Sequence, residues 1–218
     1  DAYNLTLEQF YEGVDPFELL PNDFANSNEF TRLMINSSGN CGSGNPDIKK
    51  FLSPKKGMNF IDLGCAANLA SYRLDKWPSI YFGVDISDKL INAMKEFVLK
   101  NKVKIGRLHI SEINQLPFDE NFFDIGAAIG VLEYCSMEYI KGSMDEIKRV
   151  MKNNGKFIAD IPNRDHEDFK TMEKLESLLK RPIMNITRSK FEKIIHKGFE
   201  ILEVNDNNVI IKYFLRIR

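Results

Sequence analysis

Residues 60–68 read Phe-Ile-Asp-Leu-Gly-Cys-Ala-Ala-Asn, an apolar run that carries an acid and ends in a turn of small residues. A second apolar run, residues 81–84, is followed directly by Asp85. Each run is typical of a buried strand, and acids on two such strands, roughly 20 residues apart, are typical of a nucleotide crevice at the carboxyl edge of a parallel sheet. The two stretches therefore predict an α/β sheet with a nucleotide site at its edge.

Asp62 indicates which ligand this edge favours. A carboxylate at the mouth of the first strand repels a pyrophosphate and attracts an ammonium or sulfonium group. S-adenosylmethionine carries both of these cationic groups. The sequence therefore favours S-adenosylmethionine as cofactor, with S-adenosylhomocysteine as its product, over a phosphorylated dinucleotide.

The composition fits one domain with balanced charge. The chain has 218 residues, of which 43% are hydrophobic and 28% are charged, and this length suits a single domain over residues 1–218. The 30 basic and 31 acidic residues give a net charge of −1, so no basic surface for nucleic acid or an anionic membrane is indicated. A small-molecule substrate is expected instead, and the sequence leaves the oligomeric state open.

Targeting and cysteine patterns both favour a cytoplasmic protein. No apolar run approaches the roughly 18 residues of a membrane span, and residues 1–4 lack the basic and apolar parts of a signal peptide. Cys41, Cys65 and Cys135 are odd in number and share no Cys-x-x-Cys spacing. They are expected to be reduced thiols, and neither a disulfide framework nor a metal site is predicted.

Strand and helix patterns alternate from residue 58 onward. Such alternation is typical of βαβ units with right-handed crossovers and predicts a three-layer, doubly wound, mostly parallel sheet. Residues 152–155 are expected to end a helix, with Gly155 as its left-handed cap. The predicted strands are 58–63, 80–84, 104–109, 122–128, 155–160 and a terminal hairpin of 199–204 with 209–217, and the predicted helices are 68–76, 88–100, 137–152, 165–180 and 187–197.

Residues 1–45 precede the alternating region and mix aromatic and acidic residues with Pro16 and Pro21. They are predicted to form short helices that either cover the mouth of the sheet as a lid or pack against its edge. Residues 36–46 are rich in turn formers and predict a loop or hinge. The helix 165–180 is predicted to be a cap or outer-layer helix.

Short motifs at strand and helix ends follow one another in a specific order along residues 58–217. They are Ile61-Asp62-Leu63-Gly64-Cys65, Gly83-Val84-Asp85-Ile86-Ser87, Leu116-Pro117-Phe118, Phe122-Phe123-Asp124-Ile125, Val131-Leu132-Glu133-Tyr134, Arg149-Val150-Met151-Lys152-Asn153-Asn154-Gly155 and Gly198-Phe199-Glu200. Their order resembles the class I S-adenosylmethionine-dependent methyltransferases, of the type 11 kind. The resemblance implies a methyl-transferring enzyme and a seven-stranded, Rossmann-like sheet, in which the terminal hairpin supplies an antiparallel last strand beside the fifth.

The resemblance also implies a cofactor site. Gly64 would let the amino acid end of the cofactor approach the backbone, and Asp62 would bind its ammonium group directly or through water. Asp85 would accept both ribose hydroxyls, although it has an alternative as a helix cap for which Ser87 is better placed. Glu112 would accept from the adenine amino group. The implied cofactor-binding residues are Asp62, Gly64, Cys65, Ala66, Asn68, Asp85, Ile86, Glu112, Ile113 and Ile129, with Ile86 and the backbone of Ile113 against the adenine.

The loop after the first strand departs from the family. Ala66 and Asn68 stand where glycine is usual; alanine at positive φ costs on the order of 1 kcal/mol, while asparagine tolerates the left-handed conformation better. Asn68 then either offers its amide to the cofactor's carboxylate, or the chain is a non-catalytic cofactor-binding or partner-binding relative. A nicotinamide-dependent oxidoreductase is a further alternative, although Gly64 supplies one of the three glycines that its Gly-x-Gly-x-x-Gly motif needs.

The acceptor side of the site is predicted from the loops after the fourth and fifth strands. Methyl transfer from a sulfonium is an in-line displacement, so the protein mainly aligns the acceptor and removes its proton. Neither the Asn-Pro-Pro-Tyr nor the Pro-Cys motif of nucleic-acid methyltransferases is present, which favours an O, N, S or C atom of a small molecule. The candidate catalytic residues are Glu133, Tyr134 and His166, with a solvated loop histidine as the alternative for His166.

Residues 41–46, Cys-Gly-Ser-Gly-Asn-Pro, are similar to a short segment of arsenite methyltransferases, whose thiolates bind a soft metalloid. Those enzymes carry a further cysteine just after the fourth strand, near Gly130 here, whereas Cys135 lies five residues later. Structural thiols are therefore the favoured interpretation of the cysteines.

Overall fold

The structure is a computed structural model that describes residues 16–37, 46–181 and 183–218. The strands are β1 Asn59–Leu63, β2 Ile80–Asp85, β3 Arg107–Ile110, β4 Phe123–Ala128, β5 Met151–Pro162, β6 Phe199–Asn205 and β7 Ile210–Ile217. They form one seven-stranded sheet in the order β3-β2-β1-β4-β5-β7-β6. The strands β1 to β5 pair in parallel, and β7 lies antiparallel between β5 and β6. The predicted doubly wound, mostly parallel sheet with an antiparallel last strand is confirmed.

The two longest helices begin where the sequence provides a serine cap. Ser87 accepts a hydrogen bond from the Leu90 N–H, and Ser136 accepts one from the Tyr139 N–H, so each hydroxyl caps a long helix. None of the described helices is long and apolar enough to cross a lipid bilayer. The helices are α1 Asn22–Ala25, α2 Asn28–Ser37, α3 Pro46–Leu52, α4 Asn68–Ser71, α5 Asp88–Asn101, α6 Met137–Val150, α7 Phe169–Leu178 and α8 Arg188–Ile195, with 3-10 turns at Pro16–Leu19, Leu74–Lys76 and Leu132–Tyr134.

Helices cover both faces of the sheet, because successive side chains of a strand point to opposite faces. On one face, Ile61 of β1 belongs to the same buried cluster as Ile140 of α6. On the other face, Phe60 belongs to a cluster that contains Ile48 of α3. Asp62 is two residues after Phe60, so its side chain lies on the face that α3 and α5 cover.

The predicted helix 68–76 is divided into two pieces. The helix α4 ends at Ser71, and Arg73 then takes a left-handed backbone conformation with a φ of 50° before the next 3-10 turn. A left-handed residue interrupts the helical hydrogen-bond pattern, so the segment cannot continue as one helix. The other predicted strand and helix ends, apart from those around Gly155, lie within a few residues of the observed ones.

The predicted role of Gly155 as a left-handed helix cap is wrong. The strand β5 begins at Met151, directly after α6, and the left-handed residue in this region is Asn154, with a φ of 64°. Gly155 is needed for a different reason. A Cβ at this position would lie 2.8 Å from the carbonyl oxygen of Lys152 and 3.1 Å from that of Asp124. Its lack of a side chain therefore lets β5 approach β4 closely.

The helices α1 and α2 pack against α7 and form a small helical layer. Phe24 and Leu33 share one buried cluster with Met172, Leu175 and Val209. This layer contains the described part of the predicted lid, whose role stays a prediction. The remaining parts of the 1–45 segment, and with them the Cys41 loop, lie outside the described residues.

A buried carboxylate ties α2 to the loop before α7. The Arg32 Nε donates to Asp168 Oδ1 at 2.6 Å, and the Asn36 amide donates to Asp168 Oδ2 at 3.1 Å. Burial alone would raise the pKa of Asp168, but the hydrogen bonds from Arg32 and Asn36 outweigh it and hold the pKa below its usual value. The ionised form of Asp168 therefore favours the docked helical layer.

Gly155→Ala is expected to lower the free energy of unfolding by about 1–3 kcal/mol, because the added Cβ meets two backbone oxygens. Gly142→Ala in α6 is the matched control, since its Cβ would make an ordinary contact at 3.5 Å with Asn114 and alanine favours a helix. Urea unfolding measures both variants. Wild-type stability in Gly155→Ala would contradict the close approach of β5 and β4.

Arg32→Ala is expected to lower the Tm at neutral pH, because a buried carboxylate loses its main partner. Since the folded pKa of Asp168 is below the unfolded value of 3.8, its stabilisation is present above that value and is lost as the pH falls through the folded pKa. The Tm difference from wild type should therefore shrink between about pH 7 and pH 3. Lys141→Ala, which removes an exposed pair with Asp145, should change Tm little at either pH. A difference that stays constant with pH would argue against the tie.

Candidate functional site

A cavity of about 360 Å³ lies at the carboxyl edge of β1 to β4. Its wall takes Gly64 from the turn after β1, Asp85 from the end of β2, Glu112 from the loop after β3 and Val131 from the loop after β4. These groups converge because parallel strands end at the same edge of the sheet. The lining residues are Gly64, Asp85, Ile86, Ser111, Glu112, Ile113, Val131, Tyr134, Cys135, Ser136 and Tyr139.

Asp85 is held by the backbone of two loops. Its Oδ2 accepts from the Ala66 N–H at 2.8 Å, and its Oδ1 accepts from the Ser87 N–H at 2.9 Å. Burial raises the pKa of Asp85, and these N–H groups oppose the rise. The helix cap is Ser87, so Asp85 is not used as the cap and instead lines the cavity.

Gly64 is required by its backbone and by its neighbour. It has a φ of 65°, and a Cβ would lie 2.7 Å from Val131 Cγ2. A side chain at this position would therefore be strained and would collide with the loop after β4. The absence of a side chain at Gly64 lets Val131 pack against the backbone of the turn, and the backbone of Gly64 still lines the cavity.

Asp62 lies beneath the loop and is not among the residues that line the cavity. Its side chain is fully buried, and its Oδ2 accepts from the Tyr81 hydroxyl at 2.9 Å and from the Asn68 amide at 3.2 Å. Burial and the Asp62 charge raise the pKa of Tyr81 well above its usual value, so the phenol stays a donor. The contacts of Asp62 thus fasten the turn after β1 to the neighbouring strand.

The two positions that depart from the family differ in conformation. Ala66 has a positive φ of 38°, whereas Asn68 begins α4 and uses its amide on Asp62. The strain expected for a non-glycine residue therefore falls on Ala66. Asn68 joins the loop to the carboxylate beneath it.

The part of the cavity wall that follows β2 and β3 combines apolar and polar groups. Ile86 is 58% exposed, which is unusual for isoleucine, and it lines the cavity beside the exposed Glu112. The Ile113 N–H donates to the hydroxyl of Tyr139 at 3.1 Å. Such a wall can hold a flat heterocycle with an exocyclic amino group.

The candidate catalytic pair, Glu133 and Tyr134, lies in the 3-10 turn after β4. Tyr134 lines the cavity, and its hydroxyl donates to Glu176 of α7 at 3.0 Å. Glu133 is 8% exposed, and burial and the nearby Asp160 raise its pKa well above its usual value. Burial therefore shifts Glu133 toward its protonated form.

Like Asp62, Ala66, Asn68 and Glu133, three further predicted residues are not among those that line the cavity. Ile129 and Cys65 are buried in the cluster on the α3 and α5 face, and burial raises the pKa of the Cys65 thiol well above its usual value. His166 Nδ1 accepts from the Asp168 N–H at 3.1 Å, just before α7. The structure thus places these residues in supporting positions. Within the described ranges, no group of three or more His, Cys, Asp or Glu side chains is placed to hold a metal ion.

Sequence reasoning missed several residues of the wall. Ser111 directly follows β3 and Val131 lies three residues after β4, so their position at the carboxyl ends of parallel strands could have identified them as wall residues. Tyr139 belongs to the first turn of α6 and reaches the site through the docking of that helix, for which the sequence carries no local signal. Cys135 and Ser136 complete this side of the wall.

A sequence profile described as a methyltransferase domain matches residues 61–159. The chain contains a class I S-adenosylmethionine-dependent methyltransferase domain. The matched residues include all the lining residues of the cavity, and S-adenosylmethionine is the methyl donor of this domain. The groups present fit that donor, since Gly64 lines the cavity without a side chain and Asp85 offers acceptors for hydroxyl groups. The predicted family, enzyme class and cofactor are confirmed at the level of this domain.

Two proteins are similar to this chain in sequence, and one solved structure is similar to it in fold. An uncharacterized protein of Methanocaldococcus jannaschii is 36% identical over 156 residues, which cover 71% of this chain and 57% of that protein. A ubiquinone biosynthesis O-methyltransferase of Coxiella burnetii is 31% identical over 93 residues, which cover 41% of this chain and 39% of the relative. The solved structure of an S-adenosylmethionine-dependent methyltransferase of Methanosarcina mazei has a TM-score of 0.62 at 15% identity, covers 79% of this chain and 97% of that one, and shares the fold. This chain spans less than two thirds of the length of the two curated relatives.

Ala66→Gly is expected to raise the free energy of unfolding by about 0.5–1 kcal/mol, since glycine adopts a positive φ without strain from a Cβ. Ala93→Gly in α5 is the control and should lower it by about 1 kcal/mol, because glycine weakens a helix interior. Denaturant unfolding of both variants provides the measurement. A loss of stability in Ala66→Gly would show that the turn after β1 is not strained at this position.

Proposed function

We propose that this protein transfers the methyl group of S-adenosylmethionine to a hydroxyl oxygen of a small molecule. The observation that carries the proposal is the cavity of about 360 Å³ on which Gly64, Asp85 and Glu112 converge. This volume lies within the range of ligand pockets and suits a nucleoside with an amino acid tail. Among O, N, S and C acceptors, an oxygen is supported by the name of the Coxiella relative, an O-methyltransferase.

Three groups on the wall match parts of the cofactor. Asp85 supplies a fixed carboxylate whose remaining lone pairs suit the two ribose hydroxyls. Ile86 offers an exposed apolar surface to the adenine ring, and Glu112 offers an acceptor to its amino group. Each of these roles uses a side chain that already lines the cavity.

The amino acid end of the cofactor is proposed to lie at Gly64. Asp62 supports this end from beneath, because its hydrogen bonds fix Asn68 and Tyr81. Its contribution is therefore to hold the turn and to add negative charge below the ammonium group, with Asn68 nearer to the ligand. Local negative charge favours a cation over a pyrophosphate.

The acceptor is proposed to enter beside Tyr134. When bound, S-adenosylmethionine presents a methyl group on a positively charged sulfur, and Tyr134 stands on the wall to align the attacking oxygen. Its hydroxyl is bound to α7, so the helical layer of α1, α2 and α7 adjoins this wall and is proposed to act as the lid. Glu133 stands next to Tyr134 and, once ionised, can take up a proton.

Isothermal titration calorimetry tests the cofactor site. Both S-adenosylmethionine and S-adenosylhomocysteine should bind with measurable heat. Absence of heat from either ligand at high micromolar concentration would favour a non-catalytic relative instead. Incubation with labelled S-adenosylmethionine and a panel of hydroxyl, amine and thiol compounds tests the acceptor, and methylation confined to amines or thiols would contradict the hydroxyl assignment.

Asp85→Asn is expected to weaken S-adenosylhomocysteine binding about 10-fold to 100-fold, as for the loss of roughly 1.5–3 kcal/mol of hydrogen bonding to a charged group. The amide keeps one acceptor oxygen and brings its own donors toward the N–H groups of Ala66 and Ser87. Asp88→Asn, at the exposed start of α5, is the control and should bind normally. Calorimetry measures both dissociation constants, and thermal melting checks that both variants are folded. Normal affinity in folded Asp85→Asn would exclude Asp85 from the site.

A further inference from the structure

Two acids, Glu133 and Asp160, are buried side by side next to the cavity. Glu133 follows β4 and is 8% exposed, while Asp160 lies on β5 and is 4% exposed. The strands pair at Ala128 and Ala159, so the residues just beyond β4 lie next to Asp160. Its Oδ1 accepts a hydrogen bond from the Gly130 N–H at 2.9 Å. The two buried carboxyl groups therefore lie at the same edge of the sheet, near enough for the charge of Asp160 to raise the pKa of Glu133.

The pair lacks the partners that two ionised carboxylates require. Among the described residues, Glu133 Oε2 is buried and has no hydrogen-bond partner. A buried carboxylate without partners is costly, and a second negative charge beside it adds repulsion, so such a pair keeps one proton. Burial raises the pKa of Asp160 to about 7, although the Gly130 N–H and Lys212 oppose the rise.

The surrounding charges do not neutralise the pair. Lys212 of β7 is the register partner of the aspartate, yet its Nζ is bound to Asp47 of α3 at 3.1 Å. On the other side, Glu176 of α7 raises the pKa of the glutamate and Arg181 lowers it. Those two groups are themselves paired at 2.9 Å. In the described part of the chain, this cluster contains four carboxyl groups and two cations.

The charge of Glu133 also affects the pKa values of two residues in the cavity wall. Tyr134 and Cys135, which follow Glu133 in the chain, both line the cavity. Burial and the charge of Glu133 raise the pKa of Cys135 to about 11, and burial followed by the same charge raises the pKa of Tyr134. Electrostatic interactions are strong in such a desolvated place. A charge inside the cavity therefore acts on the protonation of the pair.

We propose that Glu133 and Asp160 share one proton and release it when a positively charged ligand occupies the cavity. The inference rests on the proposed function, because S-adenosylmethionine is that ligand: its sulfur is cationic, whereas the sulfur of S-adenosylhomocysteine is neutral. On binding, one carboxyl O–H bond breaks and the proton passes to solvent, so that two negative charges oppose the sulfonium. After methyl transfer the sulfur is neutral, and the pair takes up one proton again. The pair thereby selects the donor over the product.

Calorimetric proton counting on the intact chain tests this proposal. S-adenosylmethionine and S-adenosylhomocysteine are titrated near pH 6.5 in phosphate, PIPES and imidazole buffers, whose ionisation enthalpies differ. The dependence of the heat on that enthalpy gives the number of protons released. Wild-type protein should release roughly half a proton more with S-adenosylmethionine than with S-adenosylhomocysteine. Its preference for S-adenosylmethionine should rise about three-fold to ten-fold per pH unit between about pH 5.5 and pH 7.

Two variants remove the shared proton without large changes in shape. Asp160→Asn keeps an oxygen that can accept from Gly130, and Glu133→Gln keeps the length of the side chain. In either variant the excess proton release should vanish, whereas Asp145→Asn, exposed on α6, should retain it. Should one variant fail to fold, the other gives the answer.

The possible results separate the two proposals. Equal proton release with both ligands in wild type would overturn the shared proton, as would an unchanged excess in a folded variant that binds both ligands. Failure of wild type to bind either ligand would overturn the proposed function, and the shared proton with it.

Discussion

The site depends on a single carboxylate held by two backbone N–H groups. Asp85 accepts from Ala66, in the turn after β1, and from Ser87, in the turn after β2. A carboxylate accepts several hydrogen bonds and donates none, so it can join two loops that each present an N–H group. The separation between these loops, and hence the opening of the cavity, follows from this one side chain. Its burial has a cost, which the N–H groups offset in part, since the pKa of Asp85 remains raised.

The sheet could be predicted from sequence because its information is local and periodic. Apolar runs that end at Leu63 and Asp85 are long enough to identify strands, and the alternation with helices restricts the order of those strands. Alternate side chains of a strand point to the same face of the sheet, so Asp62 is predicted on the same face as Phe60, beneath the loop. The hydrogen bond that Asp62 accepts from Tyr81 is harder to predict, because Tyr81 lies on the next strand and the contact depends on the register of the two strands.

The errors arose where one local pattern fits two structures. The run from Lys152 to Gly155 contains the residues of a helix cap, yet these residues also suit the irregular start of a strand. The outcome depends on Asp124 in the neighbouring strand, whose carbonyl oxygen lies close to Gly155. For the same reason, Tyr139 was not anticipated on the wall, because the docking of α6 is a long-range property. Contacts between distant segments therefore account for most of the part of the site that sequence patterns missed.

The contact between Gly64 and Val131 has a consequence for how the pocket can be altered. One residue belongs to the side proposed for the donor and the other to the side proposed for the acceptor, and no space for a further carbon atom separates them. A side chain at Gly64 would therefore need a smaller residue at position 131 and would still be strained by its positive φ. Redesign toward bulkier acceptors is better begun at the exposed Ser136, provided that the replacement is another residue that can cap α6, such as threonine or aspartate.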